Sequence, residues 1–259
     1  MSKSVAQCEV CATPFGPEAA YCANCGAPAN LHLSERLILA NPKANTKRSG
    51  TASWQDMKRL FLFYGLLVLC IFIFGVITSF RPGPQINIIF SVFWTLIVTG
   101  FVFVEWGRVS RVFKFKVPKL RISLELFGVT LLVFLFLSAY FYVFKAFDLP
   151  LLRATDSFTK AHWPIGSIVL LVCLEPAVVE EIAFRGIIQT KLTEILSSKE
   201  ALIIQAALFS VLHLSPAIFV SHFVMGLLFG WARLRTGQIY FGMLLHFAWN
   251  SMAVLKELN

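Results

Sequence analysis

Three short clusters of polar residues interrupt the most apolar part of this chain, and each is of a kind that moves protons. The first is Glu180-Glu181 with Arg185 four residues on, the second is Phe209-x3-His213, and the third is His246-x3-Asn250. An ionisable group at the centre of a bilayer costs about 3 kcal/mol on insertion scales, so each one needs a reason to be there. On a helix Glu181 and Arg185 share a face and can neutralise each other. Glu180 points roughly 100° away and is left without that partner. His246 and Asn250 also share a face, by the same four-residue spacing. A carboxylate beside an imidazole can activate water as a general base, while an asparagine and a second imidazole can stabilise an oxyanion. Two histidines and a glutamate could equally hold a metal that lowers the pKa of bound water. There is no Gly-x-Ser-x-Gly and no His-Glu-x-x-His, so serine and zincin chemistry have no support. The bland reading is a salt-bridge cluster that fixes helix packing. It suits Glu181 and Arg185 better than it suits Glu180. His222 has no patterned neighbour and reads as packing, and Glu175 adds an acid to which the spacing assigns no role.

The elements that carry these residues read as membrane helices. Of the 259 residues, 57% are hydrophobic and 14% charged, and 26 are phenylalanine. Soluble domains usually hold about 25% charged residues, and the mean hydropathy of +0.73 points the same way. Apolar segments at 60–80, 86–106, 122–147, 165–189, 201–214, 217–232 and 238–255 predict an all-α polytopic bundle of about seven transmembrane helices. The last four contain the polar clusters. Pro176, just ahead of the two glutamates, should kink or open its helix. The net charge of +9 does not indicate nucleic acid, because residues 107–121 hold six bases and no acid between two apolar segments. Such a run suits a cytoplasmic loop facing anionic headgroups. With the N-terminus inside, that loop, the linker bases, Lys191, Lys199, Arg233 and Arg235 all fall inside. The expectation is a multi-pass protein of the cell (inner) membrane with a cytoplasmic N-terminus. Counted from those segment ends, Glu180, His213 and His246 all lie about 12–18 Å from the cytoplasmic face, as a single site requires.

Residues 1–28 differ in kind. Cys8-x2-Cys11 and Cys22-x2-Cys25 form two knuckles whose four thiolates suit tetrahedral Zn2+. The segment lacks an apolar signal core and should face a reducing cytosol, which disfavours disulfides. Four cysteines leave no open position for water, so a zinc ribbon here would be structural and would bind a cytoplasmic protein partner or order the N-terminus. Residues 29–58 read as a basic linker and 59–259 as the transmembrane domain. Cys70 and Cys173 read as packing residues.

PAVVEEIAFRG, FSVLH and HFAWN, with RTGQIYFGMLLH between the last two, resemble the CPBP family of intramembrane proteases. That family includes the type II CAAX prenyl endopeptidases and bacterial abortive-infection and bacteriocin-related proteins. Its pattern of EExxxR, FxxxH and HxxxN is present in order within about residues 160–255. The resemblance implies that Glu180 and His213 activate water, that His246 and Asn250 hold the oxyanion, and that Glu181 and Arg185 support the site. It implies an endopeptidase acting on membrane-associated proteins or peptides. Two other classes stay open on the sequence: a non-catalytic membrane adaptor or immunity protein whose ribbon binds partners, and a small ion or proton transporter. The transporter reading lacks a visible inverted repeat.

Overall fold

The computed structural model describes residues 6–7, 14–15, 50–148 and 153–258. The chain divides into two compact units, Met1–Gln55 and Asp56–Asn259. In the first, β1 (Ala6–Gln7) pairs antiparallel with β2 (Pro14–Phe15). Cys8, Cys11, Cys22 and Cys25 lie outside the described residues.

The second unit is helical. Its long elements are α1 (Gly50–Phe80), α2 (Pro84–Val104), α3 (Leu120–Ala146), α4 (165–195), α5 (Ser198–Leu212), α6 (Pro216–Thr236) and α7 (Tyr240–Leu258). α1 starts ten residues earlier than its apolar segment suggested, so the end of the linker is helical. Among the described residues, four helices are long and apolar enough to cross a membrane: α1 from Trp54 on, α2, α3 and α6. α4 and α7 carry the polar residues, and α5 has only 15 residues.

Local chemistry sets several boundaries. The Ser197 hydroxyl accepts from Glu200 N, and the Glu200 carboxylate accepts from Ser197 N, which closes a capping box at the start of α5. Gly237 ends α6 in the left-handed conformation, at φ 73°. Gly226 and Gly230 stand four apart on α6 and let α5 come close, since a Cβ at Gly226 would lie 2.9 Å from Ala206 Cα.

Apolar side chains face both ways. Phe63, Leu67, Trp94, Val98, Phe184, Ile187 and Phe209 form one buried core. Phe61, Phe72, Phe103, Phe127 and Leu132 stand exposed on the outside, as lipid-facing residues do.

The helix ends gather on two opposite faces. On one, Lys191 Nζ approaches Glu105 Oε1 at 2.9 Å, and Arg108 pairs with Asp56 at 2.5 Å. Nearby, Gln238 bonds across to Lys116, and Tyr240 to the Phe113 carbonyl. On the other face, Asn87 bonds Ser157, Thr155 bonds Glu257, and Tyr140 bonds the Ala217 carbonyl. Consecutive helices therefore alternate in direction. Lys191, read from sequence as a loop base, is only 1% exposed and belongs to this buried ionic cluster with Glu105.

Candidate active site

α4 is one unbroken helix with two π-helical stretches, Val169–Leu174 and Ile182–Ile188, on either side of the α-helical segment Glu175–Glu181. Such wide turns concentrate at functional sites in helices. Pro176 does not break the helix. Having no N–H, it deprives the carbonyl four residues earlier, Val172 O, of its α-helical donor. Asn250 Nδ2 on α7 donates to that carbonyl at 3.2 Å. The asparagine thus compensates for the proline across a helix interface. Its amide keeps a second N–H for other use.

Glu181 and Arg185 form the ion pair that their spacing predicts. Arg185 Nη1 lies 2.7 Å from Glu181 Oε1, and both side chains are fully buried. Arg185 Nη2 donates to the Gly226 carbonyl on α6 at 3.2 Å. Its guanidinium also lies 4.5 Å from the Phe209 ring centroid and 5.1 Å from that of Phe229. Those rings supply cation–π attraction to a fully buried guanidinium.

His246 links the two glutamates. Its Nδ1 is 3.3 Å from Glu181 Oε1, and its Nε2 is 3.9 Å from Glu180 Oε2. With the carboxylate of Glu181 accepting, Nδ1 carries a proton, and Nε2 faces Glu180. Phe229 stacks on the His246 ring, with centroids 5.3 Å apart, and fixes its plane. Glu180 Oε2 is buried and has no hydrogen-bond partner among the described residues. A polar pair 3.9 Å apart with an unmet acceptor is the geometry that a bridging water fills.

His213 sits differently from the sequence expectation. It caps the C-terminus of α5 instead of lying within a span, and its Nδ1 is 2.9 Å from the Phe209 carbonyl. That bond places the proton on Nδ1 and leaves Nε2 as an acceptor. Its ring packs on His222, centroids 4.0 Å apart. His222 had read as mere packing; its pairing with His213 runs between α5 and α6, and single-chain spacing carries no sign of it. The Phe209 ring touches both halves of the site, 5.0 Å from His213 and 6.0 Å from His246.

Three further residues hold the site and were not singled out from sequence. A Cβ on Gly242 would strike Glu181 Oε2, so only glycine admits the carboxylate there. Gln205 Nε2 donates to the Gly226 carbonyl at 2.8 Å, and Gln189 Nε2 to that of Gly230 at 3.0 Å. Gly-x3-Gly in α6 was the available signal for this close packing. Among the described residues, no three or more His, Cys, Asp or Glu side chains are arranged to hold a metal ion.

A family model described as type II CAAX prenyl endopeptidase Rce1-like matches residues 162–252. The match spans all seven residues of the three clusters, from Glu180 to Asn250. No curated protein and no solved structure matches the chain.

Proposed function

We propose, from the match of residues 162–252 to the Rce1-like model of type II CAAX prenyl endopeptidases, that this multi-pass membrane protein is an intramembrane endopeptidase driven by Glu180. One observation carries the reading: Glu180 Oε2 is buried, lacks a hydrogen-bond partner among the described residues and faces His246 Nε2 across 3.9 Å. Glu181 also has one unbonded oxygen, Oε2, but Arg185 neutralises it through Oε1, whereas among the described residues no arginine or lysine pairs with Glu180, as one would with a purely structural carboxylate at that depth.

In the proposed reaction a water held between Glu180 and the imidazoles of His246 and His213 gives its proton to the Glu180 carboxylate. The hydroxide adds to the carbonyl carbon of a peptide bond. The free N–H of Asn250 donates to the oxyanion, and the proton passes from Glu180 to the leaving amine as the C–N bond breaks. Glu181, held by Arg185, orients His246. The substrates are membrane-associated proteins or peptides. We further propose seven spans, α4, α5 and α7 included, in the inner membrane. The face bearing Lys191 and the 107–121 bases is cytoplasmic. Cys8, Cys11, Cys22 and Cys25 bind a structural Zn2+ in a ribbon that meets a cytoplasmic protein partner; β1 and β2 pair across the segment containing the first two of them.

The adaptor reading accounts for the Glu181–Arg185 pair but leaves the buried Glu180 oxygen unexplained. Incubating the purified protein with a library of membrane-spanning peptides separates the two. Internal cleavage is expected. An intact library after exhaustive incubation with folded protein would favour the adaptor.

A further inference from the structure

Hydrolysis at this site requires water to cross an apolar layer, and one file of polar side chains leads through it. α2 is apolar along most of its length, yet Asn87, Ser91 and Thr95 recur every fourth residue and so stack on one face. At the outer end of the file Asn87 Nδ2 donates to Ser157 Oγ at 2.7 Å. At the inner end Thr95 Oγ1 donates to Glu175 Oε1 at 3.1 Å. The Ser91 hydroxyl, one turn back toward Asn87, faces the same carboxylate.

Glu175 opens the helical segment that closes with Glu180 and Glu181, near enough for its charge to act on Glu180. Depths agree along the two helices. At about 1.5 Å per residue Thr95 lies about 16 Å from the start of α2, and Glu175 lies about 15 Å from the start of α4. Both helices start on the face that carries Asn87. Glu180 is then about 7 Å deeper along α4. Among the described residues no basic side chain lies within ion-pairing distance of Glu175, so hydroxyls are its company where Glu181 has an arginine. A carboxylate kept at membrane depth by hydroxyl groups alone, and only partly buried, is in a setting where water completes its solvation.

We propose that Asn87, Ser91, Thr95 and Glu175 line a hydrated path that brings water from the Asn87 face to Glu180, with Glu175 positioning the water that enters the site. The proposal rests on Glu180 as the group that activates water, but its test does not need turnover.

The test introduces Ser91→Cys or Thr95→Cys singly into the full-length protein in lipid vesicles. A charged methanethiosulfonate reagent is added, and labelling is mapped by mass spectrometry so that native thiols are counted apart. Only the thiolate reacts, and it forms only where water reaches. Phe93→Cys and Leu96→Cys, on the lipid-exposed side of α2, serve as controls. Labelling at positions 91 and 95 is expected to be about tenfold or more faster than at 93 and 96, and adding Glu175→Leu should slow it at position 95. Glu175→Gln should lower kcat with little change in KM, and Glu175→Asp should restore part of it. Labelling at 91 and 95 no faster than at the controls overturns the path, even if cleavage is intact. Rapid labelling without any cleavage leaves the path standing and overturns the protease reading instead. Should Thr95→Cys fail to fold, Asn87→Cys and Ser91→Cys carry the same comparison.

Discussion

Replacing Gly242 with alanine sets one methyl group against the buried, ion-paired carboxylate of Glu181. The new Cβ would strike Glu181 Oε2 and lie 3.2 Å from Glu181 Cδ. The end of a glutamate side chain can usually swing aside. This one is held through its other oxygen by Arg185 at 2.7 Å and His246 at 3.3 Å, and it is fully buried. It yields only by lengthening those contacts or by pushing α7 away from α4. Overpacking costs about 1–3 kcal/mol, and a hydrogen bond to a charged group is worth about 1.5–3 kcal/mol. Alanine returns about 1 kcal/mol of helix propensity. Overpacking alone therefore leaves a net loss of about 0–2 kcal/mol, and any weakening of the contacts to Glu181 Oε1 adds to it. Gly128→Ala on α3, where an added Cβ meets nothing within 4 Å, keeps only the propensity gain. Thermal unfolding in detergent, measured with peptide cleavage, compares the two. Gly242→Ala should melt below wild type and cleave about tenfold or more slowly, because His246 loses its anchor, whereas Gly128→Ala should match wild type or exceed it. A Gly242→Ala protein as stable and as active as Gly128→Ala would refute the packing argument.

Glu181→Gln leaves the buried Arg185 without its counter-charge and should cost about 3–5 kcal/mol, seen as a lower melting temperature and a lower yield. Lys191→Met should destabilise less, by about 1–3 kcal/mol, since Glu105 loses its 2.9 Å partner but keeps Arg108 at 3.4 Å and Arg59 at 3.6 Å; the same melt measures it. Elemental analysis of purified protein should find about one zinc per chain, and replacing Cys8, Cys11, Cys22 and Cys25 together by serine should remove it while the helical unit melts unchanged. Zinc that persists in the serine variant would place the metal elsewhere.

What the sequence disclosed follows from the range of each interaction. The Glu181–Arg185 pair was legible because it is made within one helix by a four-residue spacing. Contacts between helices were not. Asn250 was legible as the partner of His246 on one helix face, but its bond to the Val172 carbonyl needs α7 laid against α4, and His222 gains a role only when α6 lies beside α5. Gly242 gives no local sign that a carboxylate rests against it. The depth comparison put Glu180 near His246, and the two do meet, but the observed helix ends change the count. α4 runs on to 195 and α7 begins at Tyr240, so at about 1.5 Å per residue Glu180 lies about 22 Å from its helix end and His246 about 9 Å from its own. Tilt and unequal lengths, absent from a one-dimensional reading, bring them together. The start of α1 was missed for a related reason: residues 50–59 are polar, and a hydropathy window ends where polarity begins even though the helix continues.

The central claim is that Glu180 takes a proton from water. Glu180→Gln preserves the size and hydrogen-bonding reach of the side chain and removes its basicity. The decisive measurement is single-turnover cleavage of a membrane peptide by this variant, beside its melting curve. The account predicts a fall in rate of about 10²–10⁴-fold with the melting temperature kept and the peptide still bound. Cleavage at the wild-type rate by a folded Glu180→Gln protein would contradict it.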